Sequence, residues 1–161
     1  MIALRPITPD DREFLLAVYA STRLEELAVT DWSDEQKRVF LAAQFAAQHE
    51  YYSTYYDGAT FMVILLDGER TGRLYVQRTP EVIRLMDIAL IAEFRGRGIG
   101  STLVRELLAE GEAKGIPVVI HVEMNNPALR LYERLGFRPV GTHGIYVRME
   151  WSPVRQLNTA S

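Results

Sequence analysis

Along this chain the apolar positions switch between a spacing of two and a spacing of three to four, and the switches mark out the elements. "MIALRPIT" alternates and runs into Pro9-Asp10-Asp11, which predicts a strand followed by a helix opening at Thr8 or Pro9. Phe14, Leu15, Val18 and Tyr19 fall on the inner side of that helix. A second helix is predicted from Ser33-Asp34-Glu35 through "KRVFLAAQFAAQHEYY", with Val39, Phe40, Ala43 and Ala47 as its apolar stripe. "ATFMVILLDGERTGRLYVQR" reads as two strands joined by an Asp67-Gly68 hairpin turn, and "EVIRLMDIALI" as a further strand. From Ile99 to Lys114 the residues Ile99, Leu103, Val104, Leu107 and Leu108 recur at helical intervals, stopped by Gly115 and Pro117. "PVVIHVEM" is a buried strand, and Asn126-Pro127 caps a helix with Ala128, Leu131, Tyr132 and Leu135 inside. "FRPVGT" and "GIYVRMEW" close the chain as strands around Thr142-His143-Gly144.

This succession predicts one α/β domain over residues 1–151 and a tail over 152–161. Composition fits: of 161 residues, 48% are hydrophobic and 24% charged, enough for a real core. The net charge of −3 argues against bulk nucleic-acid binding, because phosphate-tracking surfaces are usually basic. With no cysteine, disulfides, thiolate zinc sites and thiol nucleophiles are excluded; no metal site is expected. The amino terminus turns charged too early for a signal peptide, and no apolar run approaches the roughly 20 residues of a membrane span. The expectation is a soluble, cytoplasmic protein without a membrane partner.

The chemistry concentrates in "FRGRGIGSTL", residues 94–103. Glycine inside an element costs roughly 0.5–1 kcal/mol relative to alanine, so three at alternate positions need a reason. A strand, a glycine-rich turn and a helix aim several backbone N–H groups outward at the positive end of the helix dipole, which makes an anion cradle. Gly96, Gly98 and Gly100 would admit phosphate oxygens close to the backbone, and Arg95 and Arg97 would add charge; a plain tight turn is the alternative. A dinucleotide fingerprint would need glycine where Ser101 stands, and a Walker loop would need a Gly-Lys pair that the chain lacks.

"RGRGIG" at 95–100 resembles the R/Q-x-x-G-x-G/A signature of the GNAT superfamily of N-acetyltransferases, and "NNPALRLYERLGF" at 125–137 is similar to that family's second segment. The order of elements follows the same plan. The resemblance implies a central, mostly antiparallel twisted sheet of about six or seven strands, splayed between its two central strands, with about four flanking helices. It implies acetyl-CoA as cofactor, its pyrophosphate on Arg95, Gly96, Arg97, Gly98, Ile99, Gly100 and Ser101. It also implies a cofactor arm along the backbone of Ile88, Ala89 and Leu90, with Asn125 and Asn126 alongside. One asparagine should contact the arm while the other, by the fit of Pro127, caps the helix.

In such enzymes an amine attacks the thioester directly in a ternary complex. Tyr132 matches the tyrosine that protonates the leaving thiolate, although its place on the apolar stripe also suits a core aromatic. For the base, His121, Glu123 and Asp87 all stay open: an imidazole titrating near pH 6.5 suits amine deprotonation, and each has an ordinary structural role as its alternative. The resemblance implies an acceptor amine on a small molecule or peptide. Glu25, Glu26, Asp31 and Asp34 could favour a cationic one or simply be solvated, and "EYYSTYYDGA" could line its pocket or pack under the sheet. A non-catalytic acyl-CoA sensor or interaction module of the same fold is the alternative function, and a homodimer is left open.

Overall fold

The computed structural model describes residues 1–153, except for the side chains of Leu24, Glu25 and Glu26. The predicted tail, apart from its first two residues, and the expected acceptor role of Glu25 and Glu26 therefore lie outside the described residues. Seven strands and four α-helices follow the order predicted: β1 (Ile2–Pro6), α1 (Arg12–Ala28), α2 (Asp34–Tyr55), β2 (Thr60–Leu66), β3 (Glu69–Arg78), β4 (Ile83–Leu90), α3 (Ile99–Lys114), β5 (Val118–Glu123), α4 (Ala128–Arg134), β6 (Arg138–His143) and β7 (Tyr146–Trp151). The strand order is β1-β2-β3-β4-β5-β7-β6. β1–β2, β5–β7 and β7–β6 are antiparallel, and β4–β5 is parallel. This is the mixed α/β architecture expected.

The chain divides into two compact units, Met1–Tyr75 with Asp87–Arg97, and Val76–Met86 with the chain from Gly98 onward. In the first, α1 and α2 bury Leu15, Tyr19, Leu27, Leu41 and Phe45 together, with Ile7, Phe14 and Phe40 packed against them. The α1 stripe is the one predicted; of the stripe predicted for α2, only Phe40 packs inward. Val39 is 60% exposed and Ala43 and Ala47 are also exposed, whereas Leu41 and Phe45 are buried. Burial follows apolar area, and leucine and phenylalanine each remove more of it from water than an alanine does.

The start of α1 is set by a 3-10 turn over Pro9–Asp11, closed by a capping box between Thr8 and Asp11. Arg5 grips both oxygens of the buried Asp11 carboxylate at 2.7 and 2.8 Å, Thr8 N–H donates to it at 2.9 Å, and Arg70 adds a contact at 3.2 Å. The Arg5 hydrogen bonds, ahead of the other donors, hold that carboxyl far below the usual range.

In the second unit, α3 buries Ile99, Leu103, Val104, Leu107 and Leu108 along one face, each contributing roughly 1.5–3 kcal/mol of transfer free energy. Gly115, at φ +70°, ends the helix in the left-handed conformation. The register of β4 with β5 runs from Ile83 and Val118 to Leu85 and Ile120. β5 runs on to Glu123 in register with β7.

Candidate active site

The glycine loop has the conformation its composition requires. Gly96 and Gly98 lie at φ +75° and +81°, a region that side chains with a Cβ rarely adopt. A Cβ built on either would meet no protein atom within 4 Å, so both open onto free space. Gly98 caps α3, and Thr102 N–H donates to its carbonyl at 3.0 Å. The amides of Ile99, Gly100 and Ser101 therefore precede the first bond of the helix. The first turn of α3 carries no acidic side chain. Open space over two glycines, free amides and a positive helix end fit a phosphate group. The two arginines differ: Arg95 is occupied, its Nε donating to Leu90 O at 2.9 Å and its Nη2 to Ser21 Oγ at 3.2 Å. Arg97 lies over the Phe94 ring, 5.0 Å from its centroid.

Ile88, Ala89 and Leu90 form the end of β4, as predicted. What brings β3 against them is Gly72, which the sequence reading missed. A Cβ at Gly72 would sit 2.1 Å from the Ala89 carbonyl oxygen and 2.9 Å from a Leu90 methyl. Asp87, immediately before this run, is ion-paired through Oδ2 with Arg73 of β3. Arg73 is 3% exposed, and its guanidinium carbon lies 4.9 Å from the Tyr75 ring centroid and 5.6 Å from that of Tyr19. The signal for Arg73 was present: one charge inside the apolar run of a central strand needs a partner.

His121, Glu123 and Tyr132 belong to the second unit. His121 is exposed on β5, opposite Arg148 in the β7 register. Its pKa is lowered from the ordinary histidine value, first by partial desolvation, then by the charges of Arg148, Arg84 and His143. The ring is thus biased toward its neutral form. Glu123, half-buried, ends the same strand. Tyr132 is 6% exposed and meets Phe137 edge-on at 5.7 Å. Asn126 lies one residue before the cap position, and its Oδ1 accepts from Ala128 N–H at 2.9 Å. Pro127 stands at the cap position and Ala128 is the first helical residue, one later than Pro127 at the helix start would give. Asn125 is exposed.

The tyrosine-rich stretch splits. Tyr51 and Tyr55 are largely exposed, while Tyr52 is half-buried with its ring edge-on to Tyr75 at 6.1 Å. Asp31 and Asp34 are exposed. Among the described residues no helix is long and apolar enough to cross a membrane, and no three His, Asp or Glu gather as a metal site would need.

A mixed seven-stranded sheet with a parallel central pair, entered by a left-handed glycine turn that opens a helix, is the architecture of an acyltransferase class. Residues 22–137 match the acetyltransferase (GNAT) family, and the chain belongs to that family. It is 38% identical over 89 residues to the mycothiol acetyltransferase of Corynebacterium glutamicum (strain R), covering 53% of this chain and 30% of that protein. It is 31% identical over 94 residues to human N-acetylaspartate synthetase, covering 56% of this chain and 31% of the relative. The chain thus matches less than a third of the length of either. Among solved structures it resembles the PaiA N-acetyltransferase of Thermoplasma acidophilum in complex with coenzyme A. The TM-score is 0.71 at 21% identity, over 94% of this chain and 99% of that one. At that identity the likeness is one of fold.

Proposed function

We propose that this chain transfers the acetyl group of acetyl-CoA to a primary amine by direct attack, with no acyl-enzyme. The observation that carries the reading is the cradle at Gly96 and Gly98, left-handed, open and running directly into the amino end of α3. When bound, acetyl-CoA supplies the activated acetyl group. The amides of Ile99, Gly100 and Ser101 bind its pyrophosphate in the field of the helix dipole. Arg97 adds charge, whereas Arg95 braces the loop from behind. The backbone of Ile88, Ala89 and Leu90 holds the cofactor arm, and Asn125, rather than Asn126 with its bond to Ala128 N–H, contacts it.

His121 is the base. Its lowered pKa keeps Nε2 or Nδ1 available to take a proton from the amine at neutral pH. The Tyr132 hydroxyl gives a proton to the departing sulfur: a phenol holds its proton at neutral pH and can share it with a thiolate of comparable basicity. A fold neighbour solved with coenzyme A supports the choice of cofactor.

Gly98→Asn tests the cradle. Asparagine tolerates the left-handed region, and its Cβ would meet nothing in the protein, so the fold should persist. The side chain would occupy the phosphate position, and loss of one or two charged hydrogen bonds lowers acetyl-CoA affinity by roughly 10- to 1,000-fold. Calorimetry on wild type and variant, with CoA release over a panel of amines, reads the outcome. Undiminished affinity in folded Gly98→Asn would make the loop only a turn, and binding without turnover on any amine would favour an acyl-CoA sensor.

A further inference from the structure

We propose that Arg73 is the positioning residue for the acceptor amine, acting through Asp87, and that the acceptor enters as a cation received by Asp87 Oδ1. The inference rests on the acetyl-transfer reading above and assigns its acceptor side.

The argument starts from an arrangement that stability alone does not explain. Arg73 is 3% exposed, on a central strand, and its Nε and Nη1 are buried without a hydrogen-bond partner among the described residues. Only Nη2 is engaged, with Asp87 Oδ2 and, at 3.1 Å, with Gln48 Oε1. The hydroxyl of Tyr75, which is 1% exposed, is buried beside the same guanidinium. Removing a guanidinium from water is costly, and an apolar side chain of similar volume is often the more stable choice at a buried ion pair. An arginine kept under those terms, with two donors unsatisfied, points to a function for the carboxylate it holds.

Asp87 has the geometry to supply that function. Its Oδ2 is buried against Arg73, yet the side chain remains 22% exposed. Solvent therefore reaches the carboxylate on the side away from Oδ2. Oδ1 makes no hydrogen bond or ion pair among the described residues. The groups around the pair are Arg73 and Tyr75 from β3, Tyr19 and Arg23 from α1, and Gln48 from α2. Tyr19 is itself committed through its hydroxyl to Gln44 Oε1 at 3.3 Å, and Arg23 lies over the Tyr19 ring at 5.4 Å. The Arg73 guanidinium packs on the Tyr19 and Tyr75 rings, which limits its own movement. Asp87 immediately precedes Ile88–Leu90, the backbone assigned to the cofactor arm. A partly desolvated carboxylate oxygen with no internal partner is a receptor for an ammonium N–H.

The test uses the full chain and four variants, Arg73→Met, Arg73→Lys, Asp87→Asn and the double variant Arg73→Met/Asp87→Asn. Thermal melting first shows that each is folded. CoA release is then measured with spermidine, lysine methyl ester and an alanine-initiated tripeptide as probes. Arg73→Met is expected to raise KM for the reactive amine about tenfold or more with KM for acetyl-CoA unchanged. Arg73→Lys, which keeps the charge, should recover part of the loss. In the Asp87→Asn background, Arg73→Met should add less than twofold, because a residue acting through Asp87 has nothing left to position.

Effects that multiply in the double variant, a parallel rise in KM for acetyl-CoA, or an unchanged amine KM would each overturn the proposal. Should Arg73→Met not fold, Arg73→Lys carries the same comparison. Should wild type turn over none of the probes, their binding to the CoA-saturated chain is compared by calorimetry, and absence of any amine binding overturns the proposal. Wild type that fails to bind CoA removes the acetyl-transfer reading instead.

Discussion

Gly72→Ala is the smallest change that should reach the cofactor from outside the loop. The added Cβ would lie 2.1 Å from the Ala89 carbonyl oxygen, 3.0 Å from its carbon and 2.9 Å from a Leu90 methyl. The methyl group can rotate away, but the carbonyl belongs to the backbone. Restoring an ordinary contact needs a displacement of roughly 1 Å, and a misplacement of that size can cost about 100-fold in rate. Overpacking in a well-packed interior costs about 1–3 kcal/mol, which in a chain of this size lowers the melting temperature by roughly 2–12 °C. The neighbouring bond from Ile91 N–H to Thr71 O at 2.9 Å resists the shift, so strain concentrates on Ala89. Steady-state kinetics on the folded variant should show kcat/KM for acetyl-CoA down by about two orders of magnitude. A variant with unchanged melting temperature and unchanged kcat/KM would refute the claim that this close approach holds the cofactor strand in place.

Two further outcomes follow from the second unit. Because His121 acts in its neutral form and its pKa is lowered, kcat/KM should be full above the ordinary histidine range and fall only as pH drops below about 6.5; that limb should vanish in His121→Gln, and a profile identical in both proteins would remove the residue from the reaction. Tyr132→Phe keeps the edge-on contact with Phe137 and removes the proton donor, so kcat should fall by roughly 10²–10⁴ with cofactor affinity unchanged; loss of affinity and stability with turnover per bound enzyme preserved would make it a core aromatic.

How much of this was legible depended on whether the signal was local. α3 could be bounded to the residue because Gly98 and Gly115 both need left-handed backbone and both stand in the chain as punctuation. The Asp67-Gly68 turn was equally local: Asp67 and Gly68 take φ +50° and +86°. The face of α2 was not, since two stripes compete along it and the outcome depends on what packs opposite Leu41 and Phe45. Gly72 carries no local signal, because the carbonyl that excludes a side chain there comes from Ala89, on another strand. Arg73 was visible as a charge in an apolar run, but its partners Asp87, Gln48 and Tyr19 come from three separate elements. The environment of His121 is likewise assembled from Arg84, His143 and Arg148, so its residue type was readable and its depressed basicity was not.

The bracing of the glycine loop decides when its conformational entropy is lost. Two residues are already confined to a region that few others could occupy, and Arg95 ties the segment from behind to Leu90 and Ser21. Ordering a flexible segment on association consumes interaction energy that would otherwise appear as affinity. Here that ordering accompanies folding instead, so an anion bound at the loop, as proposed above, would not have to order these glycines. At left-handed φ glycine is also the residue the fold itself prefers, since a side chain with a Cβ would be strained there. The conformation that keeps the cradle open and the one that keeps the fold unstrained are therefore the same, and a substitution at either glycine would disturb both.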